Sequence, residues 1–240
     1  MLIDTTFNVF SDAKGGDPDR TSPTLRKYHK ILWSKLLPNG KLFELTDEKK
    51  GEYLYHNTDL GEFYLGSDAI THSYKNHRFK KWLTDQIPDD VDELFNAGST
   101  IGAYIVFPNN RVNGKHTINQ ARGINSLIDD RFDLTLECIR LFYSGLKSPL
   151  FDTLMRYKYF FDLFHNFKGY IDFFLLNDLV DDNQRVKFYL PFDDFKTKPT
   201  FSGVEEYLKY KNRAMTFIKL RNVRIEMYLN QRMTEQNASP

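Results

Sequence analysis

The sequence has a single cysteine, no excess of either charge and no long hydrophobic run. Cys138 alone cannot form an intramolecular disulfide, and its position in a helical pattern favours a buried, unreactive thiol over a nucleophile. The 33 Lys and Arg residues against 32 Asp and Glu give a formal net charge of +1, which does not support a general nucleic-acid or membrane-surface binder. The apolar runs are too short to cross a membrane, and residues 1–10 lack the segments of a signal peptide. We therefore expect a cytoplasmic protein without a membrane partner.

The common motifs for cofactors and metals are also missing. The sequence has no phosphate-binding glycine loop, no GxGxxG after a strand, no HExxH and no CxxC pair. Asp17 and Asp19, two residues apart in a loop, favour a turn over a cation site. The sequence therefore predicts no metal site and leaves the cofactor unknown.

The pattern of apolar residues predicts an α+β protein. Its aromatic fraction of 15% is large for so polar a chain and supplies bulk for a core. The alternation and spacing predict strands over 3–9, 41–46, 52–57, 61–67, 101–107 and 186–190. Helices are predicted from Ser22-Pro23 to about 37 and over 78–86, 89–97, 119–143, 149–164, 169–179 and 203–232. We expect one antiparallel or mixed sheet of about five to six short strands, with a predominantly helical C-terminal half packed on it. The whole forms a single α+β domain over 1–232, followed by a flexible tail at 233–240.

Polar side chains cluster after the apolar strand 101–107 and at the start of the next predicted helix. Asn109 and Arg111 follow the strand, and Asn119 and Arg122 surround the helix start. A helix start offers unpaired backbone N–H groups, and arginine offers forked donors to a phosphate or carboxylate. These four residues are therefore candidate ligand-binding residues.

Three charged residues follow on the same predicted helix. Asp133, Glu137 and Arg140 fall at i, i+4 and i+7, which places them on one helical face. Such a group could carry out general acid/base chemistry, and we take the three residues as candidate catalytic residues. The alternative is an ion-paired helix face, because Glu137 and Arg140 form an ordinary i, i+3 pair.

The first long helix interleaves basic and aromatic residues. Arg26, His29 and Lys35 are candidate ligand-binding residues, since cations beside Trp33 can hold a nucleotide by phosphate contact and stacking. The alternative is an amphipathic helix with Trp33 in the core. The last predicted helix carries seven Lys or Arg against three Glu, but these charges spread around its circumference, which favours a solvated surface.

Several long strings resemble an uncharacterised bacterial family known as a domain of unknown function. They lie in 17–40, around Asp17-Pro18-Asp19, in 106–123, around Val106-Phe107-Pro108-Asn109-Asn110-Arg111, and in 130–140. The resemblance extends to about Ile225. It implies a bacterial, cytoplasmic, single-domain protein and supplies no activity or catalytic residue.

Two functional hypotheses remain open, and whether the protein is an enzyme stays open with them. In the first, it binds a phosphate-bearing ligand, such as a nucleotide or another anionic small molecule, or a nucleic-acid end. A defence or toxin-type role would fit such a protein. In the second, it is a non-catalytic protein-interaction module, the Arg/Asp/Glu cluster is a structural ion-pair network, and the aromatic excess leaves room for a homodimer face.

Overall fold

A computed structural model describes residues 3–47 and 54–238, with side chains described as far as residue 234. Helix predominates, and the predicted α+β class is confirmed. The helices are α1 (Pro18–Thr21), α2 (Pro23–Trp33), α3 (Lys81–Thr84), α4 (Pro88–Ala97), α5 (Ile118–Ile124), α6 (Phe132–Tyr143), α7 (Phe151–Arg156), α8 (Lys158–Asp162), α9 (Phe167–Phe173) and α10 (Val204–Ala238). Single 3₁₀ turns lie at Arg78–Lys80, Ile101–Ala103 and Asn177–Leu179.

The strands of the described residues form two small antiparallel sheets instead of the single sheet that the sequence predicts. The strands are β1 (Lys35–Leu36), β2 (Leu42–Phe43), β3 (Leu54–Thr58), β4 (Gly61–Ala69) and β5 (Tyr104–Pro108). β1 pairs with β2, and the other three form a sheet in the order β3-β4-β5. The larger sheet therefore has fewer strands than predicted.

The larger sheet contributes one fully buried strand to the core. β5 is buried along its whole length, as its unbroken apolar sequence predicts. β4 pairs with it from Leu65 opposite Pro108 to Ala69 opposite Tyr104. The end of β4, which carries Asp68, is therefore fixed beside the start of β5.

Helix α10 extends across the body of the protein. Arg221 in its middle is fully buried, and its guanidinium donates to the carbonyl oxygens of Gly102, Tyr104 and Phe174, each at 2.9 Å. The helix continues six residues past Arg232, the last residue of the helix predicted from sequence. Among the described residues, no helix combines the length and apolarity that a membrane crossing needs.

The predicted strand at 3–9 is wrong. Its alternating polar residues instead close turns, because Asp4 Oδ1 accepts from Thr6 N at 2.9 Å and Asn8 Oδ1 accepts from Phe10 N at 2.9 Å. The predicted strand at 186–190 is reduced to one bridge between Val180 and Val186. The first two residues of the predicted strand 52–57 lie outside the described residues.

The single helix predicted over 119–143 is also wrong, because residues 125–131 separate α5 from α6. Asn125 Oδ1 accepts from Leu127 N at 2.9 Å, and Asp129 and Asp130 have positive φ angles of 47° and 62°. Arg122 Nη2 donates to the carbonyl oxygen of Asp130 at 3.0 Å. A tertiary hydrogen bond therefore stabilises a break that the apolar periodicity conceals.

Candidate anion-binding site

The end of α2 and the hairpin that follows it fix the position of Lys35. Ser22 caps the start of α2, where its hydroxyl accepts from Leu25 N at 3.0 Å, and the helix ends at Trp33. Ser34 Oγ then accepts from Leu45 N at 2.9 Å, which turns the chain into β1. Lys35 pairs with Phe43 across the β1–β2 hairpin, so its backbone is held from both sides.

The ammonium group of Lys35 lies against three aromatic rings. Its Nζ is 5.2 Å from the ring centroid of Trp33 and 4.6 Å from those of Phe173 and Tyr228. Such contacts attract a cation to the negative face of each ring. Among the described residues, no carboxylate or carbonyl accepts a hydrogen bond from Lys35 Nζ. The cation is therefore held in place without a neutralising partner.

Lys35 lines an open cavity of about 770 Å³ between the β1–β2 hairpin, α9 and the end of α10. The rings of Phe173 and Tyr228 are part of its wall. Leu36 and Leu42, which pair across the hairpin, are 65% and 47% exposed at its edge. Ligand sites combine apolar walls with a few polar groups in volumes of about 300–1,000 Å³. The cavity is therefore of a size and character suited to a small molecule.

Two further cations line this cavity. Lys168, on α9, forms an ion pair with Asp172 one turn later. Arg232, on α10, donates from Nη1 to the carbonyl oxygen of Ile31 at 3.0 Å and lies 5.7 Å from the ring centroid of Tyr228. With Lys35, the lining holds three cations against the single carboxylate of Asp172. Its excess of positive charge favours an anion.

Gly169 at the start of α9 sets the shape of the wall. A Cβ at this position would lie 2.1 Å from the carbonyl oxygen of Phe164 and 3.3 Å from Pro38 Cγ. Only glycine fits against this carbonyl, so Gly169 is required where the chain turns from Phe164 into α9.

The pKa of Lys35 reflects these surroundings. Burial, together with the positive charges of Arg232 and Arg221, lowers the pKa of Lys35 to about 7. The carboxylate of Asp172 opposes them. Near neutral pH the group is therefore divided between ammonium and free amine.

His29 is part of the core behind the cavity. It is 1% exposed, and its Nδ1 accepts from Trp33 Nε1 at 2.9 Å. Burial lowers the pKa of His29 to about 3, so the ring is neutral and can accept this bond. His29 thus orients the indole ring that contacts Lys35. Arg26, from the same predicted patch, points elsewhere and pairs with Asp47 at 2.7 Å.

The predicted residues after β5 do not converge on this cavity. Asn109 extends the pairing of β5, where its N–H donates to Tyr64 O at 2.7 Å, and Arg111 is exposed. Asn119 Nδ2 donates to Ser67 O at 3.3 Å, and no described residue donates to its buried Oδ1.

Arg122 is fully buried and held on all sides. Its Nη1 forms an ion pair with Asp68, its Nε donates to Thr135 Oγ1 at 3.0 Å, and a second ion pair reaches Asp130 at 3.6 Å. Its guanidinium also lies 5.5 Å from the ring centroid of Phe132. These acceptors fix α5 against β4 and α6.

The three candidate catalytic residues are engaged on α6. Arg131 binds both oxygens of the fully buried Asp133, at 3.1 and 2.5 Å, and Tyr189 N donates to one of them at 2.9 Å. Glu137 pairs with Arg140 at 2.6 Å. Asp133 therefore has both carboxylate oxygens occupied by residues of this chain.

A second carboxylate, that of Asp19, lies beside Asp68, the ion-pair partner of Arg122. Asp19 Oδ1 accepts from Ser67 N at 2.6 Å, directly before Asp68 in β4. Burial, together with the charges of Asp17 and Asp68, raises the pKa of Asp19 to about 7. Asp17 instead caps α1 by accepting from Asp19 N at 3.1 Å. Among the described residues, no three His, Cys, Asp or Glu side chains are placed to hold a metal ion.

Comparison with known proteins identifies the family. A family model described as a family of unknown function, DUF6994, matches residues 3–225. The chain belongs to this family. No curated protein and no solved structure matches it. The match confirms the resemblance to a family of unknown function. It includes the hairpin and α9, whereas Tyr228 and Arg232 on the third wall of the cavity lie beyond residue 225.

The sequence predicts one residue of the cavity lining, Lys35, as a ligand-binding residue. It makes no such prediction for Lys168, Phe173, Tyr228 or Arg232. The missed residues lie more than 130 positions along the chain, so no spacing connects them to Lys35. The excess of basic residues on the final helix was the one signal that pointed toward Arg232.

Proposed function

We propose that this DUF6994 chain binds a phosphate-bearing small ligand, such as a nucleotide, in the cavity beside Lys35. The observation that carries the proposal is the ammonium group of Lys35, which lies at the wall of a 770 Å³ cavity without an acidic partner among the described residues. A buried cation without such a partner is unfavourable, and an incoming anion removes that cost.

The rest of the lining supports a ligand with two chemically distinct parts. Lys168 and Arg232 add donors for phosphate oxygens, and arginine can bind these in a forked geometry. The exposed Leu36 and Leu42 offer apolar contact for a ring or an acyl group. A nucleotide combines such an anionic group with such a ring. A bacterial, cytoplasmic setting for this activity is part of the proposal.

The first experiment measures thermal stability in the presence of nucleoside mono-, di- and triphosphates and inorganic phosphate. A ligand at 100 times its Kd adds about 2.7 kcal/mol to the free energy of unfolding. For a chain of this length, that increase raises Tm by roughly 5–10 °C. Isothermal titration calorimetry of the compounds that raise Tm then gives Kd.

Two variants and a control locate the binding. Lys35→Met and Arg232→Met should each weaken binding at least tenfold, because each removes a cation of the lining. Lys41→Met is the matched control, since Lys41 lies on the same hairpin but pairs with Asp59 at 2.5 Å. The proposal fails if no phosphate compound raises Tm, or if binding survives in the Lys35→Met/Arg232→Met double variant.

A further inference from the structure

We propose that Lys35 is a reactive amine, which forms an imine with a ligand that carries both a carbonyl group and an anionic group. This inference rests on the proposed function, because the cavity that binds the anion also brings the carbonyl to Nζ. Three features of the structure support it: the partners of Nζ, the position of the amine at the cavity, and the cations beside it.

The partners of Lys35 leave its nitrogen lone pair available. An ion pair with a carboxylate would keep the amine protonated, and among the described residues Lys35 has none. Its neighbours are the rings of Trp33, Phe173 and Tyr228, which do not accept its proton. The neighbouring lysines Lys168 and Lys41 are different, since both are more exposed and both pair with an aspartate.

The charges around Nζ favour the free amine near neutral pH. Burial and the charges of Arg232 and Arg221 lower the pKa of Lys35 to about 7, and Asp172 is the one described carboxylate that opposes them. Amines become nucleophilic in proteins by such desolvation and by neighbouring cations. An exposed lysine, with a pKa near 10.4, is almost fully protonated under the same conditions.

The position of Lys35 fits the reaction. Nζ lies 4.6 Å from the centroids of two rings that line the cavity, so the amine is at the wall where a ligand would bind. Lys168 and Arg232 line the same cavity and can hold the anionic group while the carbonyl meets Nζ. Fixing both reactants in this way replaces a bimolecular encounter by an intramolecular step.

The reaction balances without an oxidant or a reductant. The lone pair of the neutral amine attacks the carbonyl carbon, which forms a carbinolamine. The two hydrogens of the amine pass to the former carbonyl oxygen, which leaves as water when the C=N bond forms. The carbonyl compound is the co-reactant, and the products are the imine and one water molecule.

The test uses pyridoxal 5′-phosphate as an aldehyde with a phosphate, followed by borohydride reduction and mapping of the label by mass spectrometry. We expect Lys35 to be labelled at least tenfold ahead of any other lysine at an equimolar ratio. Its second-order labelling rate, measured with pyridoxal 5′-phosphate well below its Kd, should rise with a midpoint near pH 7, the pKa of Lys35 in the free protein. Pyridoxal, which lacks the phosphate, should label Lys35 at least tenfold more slowly.

Variants separate the amine from the anion site. Lys35→Arg keeps the positive charge, so it should bind pyridoxine 5′-phosphate, the alcohol analogue, within threefold of wild type while losing the label. In the Lys41→Met variant, Lys35 should be labelled at the wild-type rate. Circular dichroism checks that each variant is folded.

The outcomes distinguish this inference from the proposed function. If pyridoxine 5′-phosphate binds and Lys35 is not labelled ahead of other lysines, the reactive-amine inference is overturned and the anion site stands. If the phosphate compound does not bind and the label spreads over exposed lysines, both are overturned. A label on Lys35 that rises with a midpoint near pH 10 also overturns the inference.

Discussion

Asp19 provides a direct test of how burial affects charge in this protein. Burial and the charges of Asp17 and Asp68 raise the pKa of its carboxyl group from 3.8 to about 7, against the opposing hydrogen bond from Ser67 and charge of Arg26. The folded state therefore binds more protons than the unfolded state between pH 3.8 and 7. The free energy of unfolding decreases as pH rises through this window, and the loss is complete above pH 7.

Replacing this carboxyl group by an amide should stabilise the protein at alkaline pH. A shift of about three units corresponds to about 4 kcal/mol when both states are ionised, at 1.36 kcal/mol per unit. Because Asp19 remains partly exposed, solvent screening reduces the expected gain of Asp19→Asn to about 2 kcal/mol at pH 8. The amide oxygen can still accept from Ser67 N, so the hydrogen bond to β4 is retained.

The assay is thermal unfolding of Asp19→Asn and wild type at pH 5 and pH 8. We expect the variant to gain roughly 4–8 °C in Tm at pH 8. The gain should be less than half as large at pH 5, because Asp19 is still protonated in the folded wild-type protein and most of the cost of its buried charge is absent. Asp152→Asn is the control, since its side chain is 92% exposed and it should shift Tm little at either pH. The reasoning is refuted if Asp19→Asn is no more stable than wild type at pH 8, or if its gain does not grow with pH.

Three further predictions concern Lys35, Gly169 and Arg122. The charge of sulfate is constant from pH 6 to 9. The affinity of the protein for sulfate, measured by calorimetry, should therefore fall about tenfold over this range as Lys35 loses its proton. An affinity that does not change with pH would contradict a cation at this wall. Gly169→Ala should destabilise the protein by about 2 kcal/mol in urea, because its Cβ meets a backbone carbonyl. A Cβ at Gly123 would have no atom within 4 Å, so Gly123→Ala should stabilise the protein by about 0.5–1 kcal/mol. Equal changes in stability for the two variants would contradict the close contact at Gly169. Arg122→Met should cost about 3–5 kcal/mol, because it removes a fully buried guanidinium and leaves the partly buried Asp68 without its ion pair. Arg140→Met should cost less than about 1 kcal/mol, and denaturant unfolding of both variants compares them.

The sequence predicts those features of the fold that depend only on neighbouring residues. The Ser22-Pro23 pair indicated the start of α2, because a hydroxyl cap and a proline at the first helical position need no tertiary partner. The apolar sequence of β5 likewise indicated a strand buried on both faces. These features depend on a few adjacent residues.

Features that depend on distant contacts were not predictable. The break at 125–131 interrupts an apolar periodicity that continues on both sides, and it is stabilised by Arg122, whose guanidinium reaches the Asp130 carbonyl. The strand predicted at 186–190 is replaced in part because Tyr189 N donates to Asp133. In both places a buried charged side chain outcompetes regular secondary structure for a backbone partner.

The same distinction explains why the candidate site lies at Lys35 and not at the denser cluster of charges around α5 and α6. Most arginines and carboxylates of that cluster have acceptors or donors inside the protein, which contribute roughly 1.5–3 kcal/mol for each hydrogen bond to a charged group. Arg221 is more deeply buried than Lys35, yet three backbone carbonyls accept from it.

The direct contacts of Lys35 Nζ among the described residues are with the faces of three aromatic rings. Each such contact stabilises a cation by about 0.5–2 kcal/mol. Its depressed pKa means that the cost of the buried charge is complete below pH 7 and is relieved as pH rises from 7 to 10.5. An anion in the cavity removes the same cost by supplying the missing counter-charge. Ligand binding and deprotonation of Lys35 therefore oppose each other, so a phosphate compound that occupies the cavity should raise the pKa of this lysine.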